Sequence, residues 1–105
     1  MDESTKIEGR DLGPDPFSTL LAALAGCTLS TLRMYIDRKS WDIPKVKISL
    51  NLYQNNESNF ETIITRDISF SSQIDQEIKK RLSTIAEKCP VSKILKNTIT
   101  ISTTI

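Results

Sequence analysis

The sequence predicts an α+β domain built on one long buried helix and antiparallel sheet, with two copies intertwined as a homodimer. Three observations lead there. From Phe17 through Leu32 no charged residue occurs, and Leu20, Leu21, Ala22, Ala23, Leu24, Ala25, Gly26 and Leu29 put apolar or small residues on every face of a helical wheel. Val46, Ile48, Leu50 and Leu52 alternate with Lys47, Ser49 and Asn51, the period of a strand wet on one face. Ile74, Ile78, Leu82, Ile85 and Ala86 recur at helical spacing, marking a second helix with one apolar stripe.

Taken in order, Ser4 to Glu8 has the makings of a short, weak strand, and Gly9 to Pro16 is a turn-rich connector. Pro16 suits the first helical position, where its missing N–H costs nothing, and Asp15 can accept from an unpaired N–H of the first turn. The helix that starts there acquires a polar end at Arg33, Asp37, Arg38 and Lys39, and Asp42 to Pro44 is expected to end it. A membrane span would need about 20 mainly apolar residues, and this run is shorter and diluted by serines and threonines. Gln54 to Asn59 reads as a hairpin loop and Phe60 to Phe70 as the returning strand. Ser72 followed by Asp75 suggests a capping box opening the second helix. Cys89 prolongs that helix's stripe and so faces the core, Pro90 restarts the chain as a short turn of helix, and Ile99, Ile101, Thr103 and Ile105 alternate as a final strand.

That order alone suggests a ferredoxin-like sandwich. Such a sandwich buries only one face of each helix, whereas the first helix here is apolar all round, so a second subunit is needed to cover it. At 105 residues the chain is expected to be one domain. Its 38% hydrophobic and 26% charged residues allow a core, and a formal net charge of +1 with dispersed cations argues against nucleic acid or an anionic membrane as partner. Histidine is absent, which excludes Ser-His-Asp and Cys-His catalysis and the commonest zinc sites. Two cysteines, Cys27 and Cys89, cannot complete a four-ligand structural metal site by themselves. The start Met-Asp-Glu-Ser shows no secretory leader, so the expected location is cytoplasmic, where a cysteine pair is more often reactive than structural.

Each cysteine also has a blander reading: Cys27 as a small hydrophobe in a buried helix, Cys89 as the last position of an apolar stripe. Arg66 interrupts the Phe60, Ile64, Ile68, Phe70 face of its strand and could reach a site, although a solvated edge arginine is the simpler account of it. Lys79, Lys80 and Arg81 read as a solvated helix face.

The segment Gly13-Pro14-Asp15-Pro16-Phe17-Ser18-Thr19-Leu20-Leu21-Ala22-Ala23-Leu24-Ala25-Gly26-Cys27 is similar to the one that leads to the reactive cysteine of OsmC/Ohr proteins. Leu82-Ser83-Thr84-Ile85-Ala86-Glu87-Lys88-Cys89-Pro90-Val91-Ser92-Lys93-Ile94-Leu95 resembles their second motif, and the separation of 89 minus 27, or 62, residues is about the family's own. The resemblance runs from Thr5 onward and implies a single OsmC-like domain over 1–105 with a shortened N-terminal hairpin. It further implies a cysteine-based peroxidase for organic hydroperoxides. Cys27 becomes a sulfenic acid, Cys89 condenses with it to a disulfide, and a dithiol reductant such as a lipoyl protein restores both; no bound cofactor is needed.

The family holds its thiolate with an arginine before the helix, itself held by a glutamate near the helix start. Lys6 aligns with that arginine and Arg10 is close enough to substitute, while Phe17 and Ser18 stand where the glutamate is expected. The missing glutamate motivates an alternative: a non-enzymatic redox-sensing or small-ligand-binding dimer on the same scaffold.

Overall fold

A computed structural model describes residues 15–55, 57 and 61–105; the proposed strand at Ser4 to Glu8, and Lys6 and Arg10 with it, lie outside them. Helix α1 spans Pro16–Arg38, strands β1 (Val46–Asn55) and β2 (Glu61–Phe70) form an antiparallel hairpin, and helices α2 (Gln76–Glu87) and α3 (Pro90–Lys96) follow. The three helices pack with α1 at their centre, touching β1, α2 and α3.

The first turn of α1 forms as its residues dictate. Asp15 is the N-cap, its carboxylate accepting from the Ser18 N–H at 3.0 Å and the Ser18 hydroxyl at 2.8 Å, with Pro16 at the first helical position. Those bonds hold the Asp15 carboxyl below its ordinary range. The other end arrives before Asp42: Ser40 takes φ 58, its N–H donates to the Asp37 carbonyl at 3.0 Å, and the Trp41 N–H donates to the Ile36 carbonyl at 3.2 Å. This is a Schellman motif with serine in the left-handed position usually given to glycine. Its hydrophobic contact is supplied by Trp41, which folds back onto the core with Ile36.

That core consists of Leu32 and Ile36 of α1, Ile43 of the connector, and Leu82 and Ala86 of α2, flanked by Val46, Ile68, Phe70, Ile78 and Ile85. In the hairpin, Val46 pairs with Phe70, Ile48 with Ile68, Leu50 with Arg66 and Leu52 with Ile64, so these residues share the face turned towards the helices.

Within one chain, the described residues cover α1 on one side: Leu24, Thr28, Leu32 and Ile36 are buried, while Phe17 is 52% and Met34 64% exposed. Two expectations need correction. The helix α2 opens at Gln76 with Asp75 as N-cap and no side-chain capping bond, so Ser72 falls outside the cap and the box does not form. Residues 98–105 form no strand, and Ile99, Ile101 and Ile105 stand exposed. Alternation marks a strand only where a neighbouring edge supplies hydrogen bonds, and among the described residues no edge pairs with it.

The left-handed serine gives a test of the cap. Replacing it, Ser40→Gly, removes the steric cost of a Cβ at positive φ, partly offset by the greater unfolded-chain entropy of glycine. The expected gain is roughly 0.5–1 kcal/mol, read as a raised midpoint in urea denaturation at constant m-value.

Candidate active site at the junction of the three helices

Cys89 is the N-cap of α3, and its sulfur accepts from the Ser92 N–H at 3.4 Å. The preceding α2 stripe carries the residue inward, and it is fully buried. Around the sulfur stand hydroxyls from two helices. The Cys89 thiol donates to Ser92 Oγ at 3.3 Å, and Thr28 Oγ1, one turn past Leu24 on α1, lies 3.7 Å away. Thr28 donates its own proton to the Leu24 carbonyl at 2.8 Å. Cys27, next to Thr28 and half-buried, stands near enough to Cys89 to favour its thiolate, and both cysteines are free thiols.

Burial alone would push the Cys89 thiol up. The hydroxyl and N–H of Ser92, the Cys27 thiol and the Thr28 hydroxyl together outweigh it and bring the group from 9.0 down to about 7. A thiolate is therefore accessible at neutral pH at the buried cysteine, with a second, more exposed one nearby. Such a pair can be oxidised to a disulfide by an incoming oxidant and returned by thiol–disulfide exchange.

Among the described residues, the cation that bonds to the hydroxyls around the sulfur is Arg66. Its side chain is only 12% exposed, and its Nη1 donates to Ser92 Oγ at 2.7 Å and to Thr28 Oγ1 at 2.9 Å, while Nη2 pairs with Glu87 Oε2 at 3.2 Å. The other carboxylate oxygen of Glu87 pairs with Lys96. Reading Arg66 as a solvated edge residue was therefore wrong. Its place in the two-residue rhythm of Ile64, Ile68 and Phe70 puts it on the inward face, and three helices supply the partners that let a guanidinium stay there. Neither Arg66 nor Glu87 was among the expected site residues, and the alternation of β2 was the one signal that could have found the first of them. Phe17 and Ser18 carry no carboxylate, but an arginine–glutamate pair is present all the same, drawn from β2 and α2. Lys79, Lys80 and Arg81 are exposed, as a solvated helix face requires.

A cavity of about 330 Å³ opens beside this cluster, with Leu24, Ile64 and Leu95 as apolar wall and Arg66, Glu87 and Ser92 as polar end.

Two nearby cysteines, one of them ringed by hydroxyls that a largely buried arginine holds, form a site suited to thiol redox chemistry on this three-helix and hairpin scaffold. A sequence model described as OsmC-like protein matches residues 9–104, and the chain belongs to that family. Solved structures share its fold. A Psychrobacter arcticus protein named for osmotic stress induction and a detoxification response aligns with TM-score 0.74 and 20% identity over 89% of this chain and 68% of that one. An organic hydroperoxide resistance protein OsmC from Legionella pneumophila aligns with TM-score 0.65 and 20% identity over 89% and 69%. An OsmC like protein from Mycoplasma pneumoniae gives TM-score 0.62 and 22% identity over 80% and 63%. Among curated proteins, none matches this chain.

The lowered thiol makes a prediction about stability. An unfolded Cys89 ionises near 9.0 and the folded one at about 7, so the folded chain gives up its proton first. The resulting stabilisation is complete above pH 9 and is lost as pH falls through 7. Between pH 7 and pH 9 the unfolding free energy of the reduced protein should therefore rise, by something on the order of 2 kcal/mol, relative to Cys89→Ser. Parallel pH profiles for the two proteins in urea denaturation would remove the thiolate from the account.

Proposed function

We propose that this protein is a cysteine-based peroxidase that reduces organic hydroperoxides. What carries the reading is the nearness of Cys27 to a Cys89 held at about 7, in a chain of the OsmC-like family. The half-buried Cys27 meets the peroxide. Its thiolate attacks the distal oxygen, the O–O bond breaks, the alkoxide takes a proton and leaves as alcohol, and Cys27 is left as a sulfenic acid. Cys89, ionised near neutral pH, attacks that sulfur, the S–O bond breaks, hydroxide leaves and is protonated to water, and a Cys27–Cys89 disulfide remains. A dithiol reductant, a lipoyl protein being one candidate, returns two electrons and two protons. The cytoplasm is where we place this cycle. The cavity beside Arg66 and Ser92, with Leu24, Ile64 and Leu95 along it, suits a peroxide with an apolar substituent.

The lowered ionisation of Cys89 favours a second order of events, in which Cys89 attacks the peroxide and Cys27 resolves. One peroxide equivalent added to each single-cysteine protein separates the two. In the first order Cys89→Ser accumulates a sulfenic acid trapped by dimedone and Cys27→Ser does not; in the second the pattern reverses. In the unaltered protein two thiols disappear per chain and an intramolecular disulfide appears in the mass spectrum. Survival of both thiols in excess cumene hydroperoxide would remove the enzyme and leave a binding or sensing dimer, a reading weakened by the carboxylate that Glu87 brings to Arg66.

We further propose that two copies associate through α1. Phe17, Leu20 and Met34 are exposed on it, and Gly26 faces open space although glycine costs a helix interior roughly 1 kcal/mol relative to alanine. By length and composition α1 could cross a bilayer, and a partner helix gives its uncovered side a protein neighbour instead of lipid. Sedimentation equilibrium at micromolar concentration is expected to return twice the 11.8 kDa chain mass, and a species of 11.8 kDa throughout would refute the association.

A further inference from the structure

Ser92 and Thr28 each carry one hydroxyl proton, and the geometry leaves little choice over where it goes. While Cys89 is a thiol, Ser92 Oγ receives both the S–H, at 3.3 Å, and Arg66 Nη1, at 2.7 Å, so its two lone pairs are taken and its own proton points elsewhere. Thr28 Oγ1 accepts from the same Nη1 at 2.9 Å and spends its proton on the Leu24 carbonyl. Once the sulfur loses its proton it can only accept, and both hydroxyls can turn to it without giving up the guanidinium.

We propose that Arg66 is a positioning residue for the thiol chemistry, stabilising the Cys89 thiolate through the hydroxyls of Ser92 and Thr28, which it holds in place and polarises. The inference rests on reading Cys89 as one member of the redox pair.

The charge reaches the sulfur because it is not cancelled. The charged side chains bonded into the thiol's hydrogen-bond network, among the described residues, are Arg66 from β2, Glu87 from α2 and Lys96 from α3, while α1 contributes the neutral side chains of Thr28 and Cys27. Two cations face one carboxylate, and Lys96 occupies the Glu87 oxygen that Arg66 does not use. These three groups sum to a positive charge, which favours a neighbouring group that becomes an anion. A lysine at position 66 would keep the charge, but its ammonium is a point charge without the planar fork that serves Ser92, Thr28 and Glu87 together.

The test reads Cys89 ionisation and not peroxide turnover, so it stands or falls apart from the peroxidase reading. In Cys27→Ser, which leaves one thiol and keeps a hydroxyl donor beside it, the rate of iodoacetamide alkylation is followed against pH by mass spectrometry. The midpoint is expected at about 7. Adding Arg66→Met should raise it by about one unit, a loss of about fivefold in thiolate at pH 7, and Arg66→Lys should give a smaller rise. Arg66→Gln, uncharged but polar, serves in place of the methionine variant if that one does not fold. In a Ser92→Ala background the same arginine substitution should shift the midpoint less, because the main relay is gone. A midpoint unmoved by loss of the charge in a folded protein overturns the proposal, as does a full shift that persists without Ser92.

Discussion

A guanidinium drawn out of water must be given partners for its charge and its N–H groups, and satisfying Arg66 organises this molecule. The residue leaves β2 on the inward face and ends in bonds to Thr28 of α1, Glu87 of α2 and Ser92 of α3. One side chain thus ties the sheet to every helix. Breaking any of the three strands of that tie would leave a buried charge less than fully served, which costs several times what an exposed ion pair contributes. The polar cluster so formed sits at the end of the apolar core, and among the described residues no buried side-chain nitrogen or oxygen lacks a hydrogen bond. Such completeness lets a sulfur be buried and ionisable at once.

Local signals were legible and long-range ones were not. Asp15 and Pro16 announced the start of α1 because a cap is made within four residues; the alternation around Leu50 announced a strand because a half-wet sheet face has a two-residue period. The stripe of α2 likewise led inward to Cys89. Arg66 was missed although its phase was right, since a charged residue at an inward position is credible only when its partners are known, and these come from 38, 21 and 26 residues away. The last strand failed for the opposite reason. Ile99 and Ile101 have the right period, but period does not create an edge to pair with. Ser40 could not have been foreseen as a helix stop, because serine enters the left-handed region only where the surrounding bonds hold it there.

The comparison with solved relatives sharpens what family membership means here. At 20% to 22% identity the three helices and the hairpin are retained. Among the described residues, the arginine and glutamate that stand with Cys89, Thr28 and Ser92 come from β2 and α2, and their place in the site follows from the fold and not from a local motif.

Cys89 holds two offices with one atom: its sulfur is the ionisable group, and it also closes the first turn of α3 by accepting the Ser92 N–H. A sulfur engaged in a bond to a neighbouring sulfur is a far poorer acceptor than a thiolate. Oxidation would then uncap the short helix it begins, and the seven residues from Pro90 to Lys96 would loosen or settle according to the electron count of the pair. A change of state at the sulfur would in this way reach the backbone beside it.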